Sequence, residues 1–316
     1  MPVSRERDLR IGCRLAHLAG LAAALGLVGG ASAQPPTARL MDWPDLLGRP
    51  MPAATERIAY GPGPLQVADL WLPDGKGPFP VVLMVHGGCW RSGVAKLSIM
   101  NYIAEDLRRR GIAVWNVEYR GVDRPGGGYP GTFEDVAAAA DLLARIGPAH
   151  HLKSERIVAL GHSAGGHLVL WLAARRRLPA ASPLAAAHPL PIAAVVSLGG
   201  LPDLKVVRAL GDASCGGETV AKLVGEPSPG RPDVYADTSP AELGAGVDRE
   251  VLINGPEDPI APPAMGEAYA AKMRAKGARI RQITIPDTGH VELIAPGTAA
   301  WAKVAETVEA LLERSR

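Results

Sequence analysis

Gly161-His162-Ser163-Ala164-Gly165-Gly166 stands between an apolar, β-branched run, Arg156 to Leu160, and an apolar stretch with helical spacing that continues to Ala174. A G-x-S-x-G pattern in that setting describes a sharp turn from strand to helix, which lifts a serine hydroxyl above the end of a sheet. The flanking glycines let the neighbouring backbone pass closely, and the first helical turn offers N–H groups that lack an intrahelical acceptor. An ordinary glycine-rich turn carries similar letters without a strand before it and an apolar helix after it.

Working outward, short β-branched runs alternate with longer helical patterns from about Ile58 onward, which predicts a mostly parallel sheet in an α/β fold with helices on both faces. The clearest strands are Val67 to Leu72, Pro80 to His86, Ile112 to Tyr119, Arg156 to Gly161, Ile192 to Leu198, Glu250 to Asn254 and Arg279 to Ile285. Helices are expected near Leu97 to Arg110, Phe133 to Ile146, Gly165 to Ala174 and Pro263 to Lys276, with a closing helix at Ala299 to Glu313. Val81 to Val85 is continuously apolar and Ala193 to Leu198 is apolar apart from Ser197, so these strands belong at the centre of the sheet, covered on both faces. Chemistry is then expected at the carboxyl ends of the strands.

Three further segments fall at such ends. His86-Gly87-Gly88-Cys89-Trp90 follows the Pro80 strand, about 75 residues before Ser163. Its glycines leave amides unshielded, so the amides of Gly88, Cys89 and Ala164 are the expected donors to an oxyanion. His86 reads as a brace for this loop through a buried hydrogen bond. For the general base, His17 falls in the leader and His150, His151 and His188 in polar or Pro- and Ala-rich loops, while His162 and His167 flank the serine where packing is the natural role. His290, in Asp287-Thr288-Gly289-His290 between the last strand and the closing helix, is left as the base. Asp258, in Gly255-Pro256-Glu257-Asp258, follows the Glu250 strand and is the favoured acid to orient it, with Glu257 and Asp203 as competitors.

The ends of the chain read differently. Arg5, Arg7, Arg10 and Arg14 precede an apolar run from Leu15 to Val28 and the small residues Ala31-Ser32-Ala33, which together describe a signal peptide over residues 1–33. The run is short and Gly-rich for a membrane span, so no stable membrane insertion is expected after cleavage. Removing the leader's four arginines and two carboxylates from 34 basic and 32 acidic residues leaves 30 of each. Such a neutral chain lacks the clustered basic surface that nucleic acid or anionic lipid demands. Residues 34–55 hold five prolines and read as an irregular arm before a domain spanning 56–316. The stretch of about 205–246 has the weakest periodicity and is expected to form a cap or rim above Ser163. Cys89 and Cys215, the thiols left after export, are expected either to pair, tying the oxyanion loop to the cap, or to remain as buried thiols.

HGGCW at His86, EYRG at Glu118, GHSAGGH at Gly161, the G-x-x-D ending at Asp258 and DTGH at Asp287 together resemble α/β-hydrolases of the esterase and kynurenine-formamidase-like group, including bacterial feruloyl and acetyl esterase-like domains. The resemblance runs from about Ile58 to the C-terminus. It implies an eight-stranded sheet and a Ser163, Asp258, His290 triad acting on short-chain carboxylic esters, a small-molecule substrate, without cofactor or metal. Secretion to the periplasm or beyond would follow from the leader. Kynurenine formamidases resemble the oxyanion loop with a tyrosine where Cys89 stands and work in the cytosol, and both differences count against an arylformamidase. Ala261 also stands where the family usually has a β-branched residue. A peptidase-like hydrolase without its propeller, or a non-catalytic binding protein on the same fold, are the other readings.

Overall fold

The computed structural model describes residues 39–313, so the expected signal peptide and the first residues of the arm lie outside the described residues. Eight strands form one sheet in the order β1-β2-β4-β3-β5-β6-β7-β8. They are β1 (Glu56–Ala59), β2 (Val67–Trp71), β3 (Val81–Val85), β4 (Ala113–Val117), β5 (Ile157–His162), β6 (Ile192–Leu198), β7 (Glu250–Asn254) and β8 (Ile280–Thr284). The β1–β2 and β2–β4 pairs are antiparallel and the rest are parallel. β1 is the strand that the apolar patterning leaves unnamed. Its residues are mostly exposed, and pairing with β2 sets its place.

The helices are α1 (Trp43–Leu47), α2 (Asn101–Arg109), α3 (Gly131–Ile146), α4 (Ala164–Ala174), α5 (Leu204–Leu210), α6 (Gly217–Val224), α7 (Pro240–Leu243), α8 (Pro263–Ala275) and α9 (Ala299–Glu313). Among the described residues, no helix is long and apolar enough to cross a membrane. Along β3 the side chains divide by parity, as a strand's period of two requires. Val81, Leu83 and Val85 join one core cluster with Leu143 of α3, Val169 of α4 and Tyr269 of α8. Val82 and Met84 join the other, with Ile103 of α2 and Val304 of α9. Covering both faces explains why β3 reads as an unbroken apolar run, each buried Val or Leu contributing roughly 1.5–3 kcal/mol.

Register brings the chemistry-bearing ends level. Val85 pairs with Gly161 and His162 with Leu198, so the loop after β3, the turn after β5 and the glycines after β6 emerge side by side. The arm expected to be irregular contains the short helix α1: Asp42 and Asp45 cap it reciprocally, Pro44 sits in its first turn, and Leu46 is fully buried. The expected cap is three short helices, α5, α6 and α7, rather than one regular element.

Candidate active site

Ser163 is the first point of strain. It holds φ 55° and ψ −121° as the N-cap of α4, a conformation that costs a non-glycine residue on the order of 1–3 kcal/mol. The sheet holds it there: its N–H donates to the Leu198 carbonyl at 2.8 Å, and its own carbonyl accepts from Gly166 N at 2.8 Å. The neighbouring glycines are forced by space. A Cβ on Gly161 would lie 2.1 Å from the Gly165 carbonyl oxygen, and one on Gly165 would lie 2.1 Å from that of Val85.

Beyond β3 the chain turns through three successive left-handed residues, Gly88 (φ 105°), Cys89 (φ 50°) and Trp90 (φ 53°). Among the described residues the amides of Gly88, Cys89 and Ala164 have no acceptor within the chain. Side chains beneath pin the loop. His86 sets Nδ1 2.7 Å from the Gly87 carbonyl and Nε2 2.8 Å from Glu118 Oε1, and its ring stacks on Tyr119 at 4.4 Å. The Tyr119 hydroxyl donates back to the His86 carbonyl at 3.1 Å. Glu118 also accepts from the amides of Tyr119 and Leu97, both at 3.0 Å. Burial opposes its charge, yet His86 and these donors hold its carboxyl below the usual range. The brace expected of His86 is therefore present.

Trp90 is fully buried and donates from Nε1 to His167 Nδ1 at 3.2 Å, while His167 Nε2 faces the Thr238 carbonyl at 2.8 Å. That arrangement places the single proton of a neutral imidazole on Nε2, in keeping with a His167 pKa pushed down to about 4 by burial. A disulfide joins Cys89 to Cys215 across a Cα–Cα distance of 5.2 Å, so of the two expected arrangements the thiols adopt pairing. The loop after β3 and the segment between α5 and α6 are thus one covalent unit.

Asp258 and His290 meet with Oδ2 and Nδ1 2.6 Å apart, at 2% and 7% exposure. The other oxygen of Asp258 accepts from the amides of Ile260 at 2.8 Å and Ala261 at 3.0 Å. Burial works against the Asp258 charge, but His290 and the two amides outweigh it and keep the carboxyl below the ordinary aspartate range. Gly199 makes room for the pair: it holds φ +48°, and a Cβ there would lie 2.9 Å from Asp258 Oδ2 and 3.1 Å from His290 Nδ1. The competing acids are placed elsewhere. Glu257 is exposed, and Asp203 caps α5 by accepting from Lys205 N at 3.0 Å.

Sequence reasoning did not mark four contributors. His162 sets Nε2 3.0 Å from the His290 carbonyl and its ring 4.3 Å from the His290 ring, and burial first, then His290, holds its pKa far below the ordinary value. Gly199, Trp43 and Glu292 are the others. Gly199-Gly200 directly after a buried strand was a usable signal, because paired glycines at a strand end mark a close approach. Among the described residues no cluster of three or more His, Cys, Asp or Glu side chains could hold a metal ion.

An eight-stranded, mostly parallel sheet with a strained serine at its central strand-to-helix turn defines an α/β-hydrolase. The chain belongs to the BD-FAE family, an α/β-hydrolase esterase family whose model matches residues 68–273. An esterase of Gibberella moniliformis (strain M3125 / FGSC 7600) is 33% identical over 107 residues, 33% of this chain and 32% of that protein, so the match spans about a third of the relative's length. A truncated carbohydrate esterase from gut microbiota superposes with a TM-score of 0.69 at 20% identity, over 84% of this chain and all of that one (100%). An inhibited esterase B from Lactobacillus rhamnosis gives 0.70 at 19% identity, over 85% and 91% of the two chains. At those identities the likeness is one of fold.

Proposed function

We propose that the protein is a secreted serine esterase that hydrolyses short-chain carboxylic esters through an acyl-enzyme. The observation that carries this reading is the buried Asp258–His290 pair beside the Ser163 turn. With Nδ1 of His290 donating to Asp258, Nε2 is the nitrogen left to take the Ser163 proton as Oγ attacks the ester carbonyl. The amides of Gly88, Cys89 and Ala164 then receive the developing oxyanion, a contribution of roughly 3 kcal/mol for each effective donor. Collapse breaks the bond to the alkoxide, which leaves with the proton from His290. Water repeats the sequence on the acyl-Ser163 ester, releasing the carboxylic acid and restoring the serine.

Membership of an esterase family supports the reaction class. The short acyl preference rests on surface character: among the described residues Leu47, Met51, Val94, Val206 and Leu210 are the exposed large apolar side chains. Val206 and Leu210, a turn apart on α5, are well short of a cradle for a long tail. Export is supported by the basic and apolar leader and by the Cys89–Cys215 bridge, since disulfides persist in oxidising compartments. The direct test is a fluorophosphonate probe together with acetyl, butyryl, feruloyl and formyl-amide substrates. Ser163 should carry the label, Ser163→Ala should lose label and nearly all turnover, and acetyl or butyryl esters should turn over fastest. Full esterase activity in Ser163→Ala would refute the assignment, and preference for a formyl amide would move the protein to the arylformamidases.

A further inference from the structure

The segment ahead of β1 reaches the His290 loop through contacts that the reaction above does not use. Beyond its own capping, α1 is tied down by Arg49, whose Nη1 donates to the Pro296 carbonyl at 2.8 Å, and by Asn101 Nδ2, which donates to the Pro52 carbonyl at 3.1 Å. One carboxylate spans the junction. Glu292, 6% exposed, accepts from the amide of Gly289 at 3.0 Å through one oxygen and from the amide of Met41 through the other. Gly289 immediately precedes His290. Trp43, half-buried, then stands edge-on to the rings of His162 at 6.2 Å and of His290 at 6.4 Å. Trp43, Met41 and Glu292 all fall outside the stretch 68–273 that the family shares.

We propose that residues 41–49 are a working part of the active site, with Trp43 and Glu292 as positioning residues that hold His290 against Asp258. The inference rests on the reading of His290 as general base. His290 lies on irregular backbone between β8 and α9, and a single hydrogen bond at Nδ1 leaves its ring free to pivot about that bond. The His162 and Trp43 rings, centred 4.3 and 6.4 Å from the centre of the His290 ring, restrict that pivot from the flanks, while Glu292 fixes the backbone one residue before the ring. Orientation of the base is expressed in turnover, because misplacement by about 1 Å can cost on the order of a hundredfold in rate. Trp43 and Glu292 touch the base and its loop, so substrate affinity should be largely indifferent to them.

The test uses the exported full chain with Trp43→Ala, Trp43→Phe, Glu292→Gln and the double variant Trp43→Ala/Glu292→Gln. Trp43→Ala is expected to lower kcat roughly tenfold or more while KM moves less than about twofold, the pattern of an interaction made only in the transition state. Trp43→Phe should recover most of the loss. Glu292→Gln, which keeps only one acceptor oxygen for two amides, should lower kcat in the same way, and the double variant should fall short of the product of the two losses, since both act through one docked segment. Fluorophosphonate labelling of Ser163 should slow in step, and the proton resonance of the His290–Asp258 hydrogen bond should broaden. Unchanged kcat in Glu292→Gln, or a change confined to KM, overturns the proposal even if Trp43→Ala fails to fold. His290→Ala separates the two layers: full turnover in that variant removes the reading of the base itself, whereas its inactivity beside unaffected Trp43 and Glu292 variants removes only the role of the arm.

Discussion

The two oxygens of Asp258 have different partners. Oδ1 is spent on the amides of Ile260 and Ala261, which fixes the carboxylate plane, and Oδ2 is left for His290 at 2.6 Å. Asp258→Asn keeps the shape, but an amide turned to keep its oxygen on the two backbone donors presents its NH2 to His290, which favours the wrong imidazole tautomer. A loss of roughly four orders of magnitude in kcat is expected, as for triad acids in general. Glu257→Gln, at an exposed side chain one residue away, should stay within about twofold. Steady-state kinetics of the two variants on one acetyl ester checks the ranking, and a larger loss in Glu257→Gln would move the acid. At this scale much of the candidate site was legible in the sequence, because Ser163, Asp258 and His290 each follow a strand or its loop and carry chemistry-bearing side chains. Trp43 was not legible, since nothing local reveals that a half-buried indole in a proline-rich arm returns to a histidine 247 positions further on.

Among the elements, the strands read most faithfully where burial on both faces made them almost wholly apolar, as at β3 and, apart from Ser197, β6, and β7 matches Glu250–Asn254 residue for residue. β1 escaped because it has one half-buried position, Ile58, among exposed neighbours, and a pattern needs at least two points. The helix α1 escaped because its signal is a five-residue capping arrangement rather than an amphipathic period. The link between the loop after β3 and the segment ahead of α6 was legible only as two cysteines, and their meeting depended on the order β3-β5-β6 bringing distant loops together. That bridge closes a span of 126 residues, for which the chain-entropy relation gives about 5 kcal/mol. With the leader and its Cys13 removed, the oxidised protein should therefore release no thiol on denaturation without reductant. Reduction should lower Tm by on the order of 10 °C and lower kcat as the Cys89 amide loosens. Titration of about two thiols in the unreduced, denatured chain would rule the bridge out.

For the molecule as a whole, the buried titratable groups set how stability follows pH, and they pull in opposite directions. Burial holds His167 neutral down to about pH 4 and also holds the His162 pKa well below the ordinary value, whereas an unfolded histidine takes up its proton near 6.5. A depressed histidine pKa gives stability that is complete above the unfolded value and is lost as pH falls toward the folded one, about 3 kcal/mol for His167 over that window. Glu250 has the reverse sign. Burial raises its carboxyl from 4.5 to about 7, against donors at Gly246 N and the Tyr269 hydroxyl. Its contribution is complete below the unfolded pKa and is lost as pH rises through the folded one, again about 3 kcal/mol. The two histidines act in the same direction against one carboxyl, so Tm should fall between pH 6.5 and 4.5. His167→Gln, whose amide can accept from Trp90 and donate to the Thr238 carbonyl without titrating, should flatten that slope. Glu250→Gln removes the opposing contribution, so it should steepen the acid loss and raise Tm at pH 8 relative to the parent. Thermal melts of the three proteins across that range decide the matter: profiles that run parallel would show that neither buried group exchanges a proton differently on unfolding.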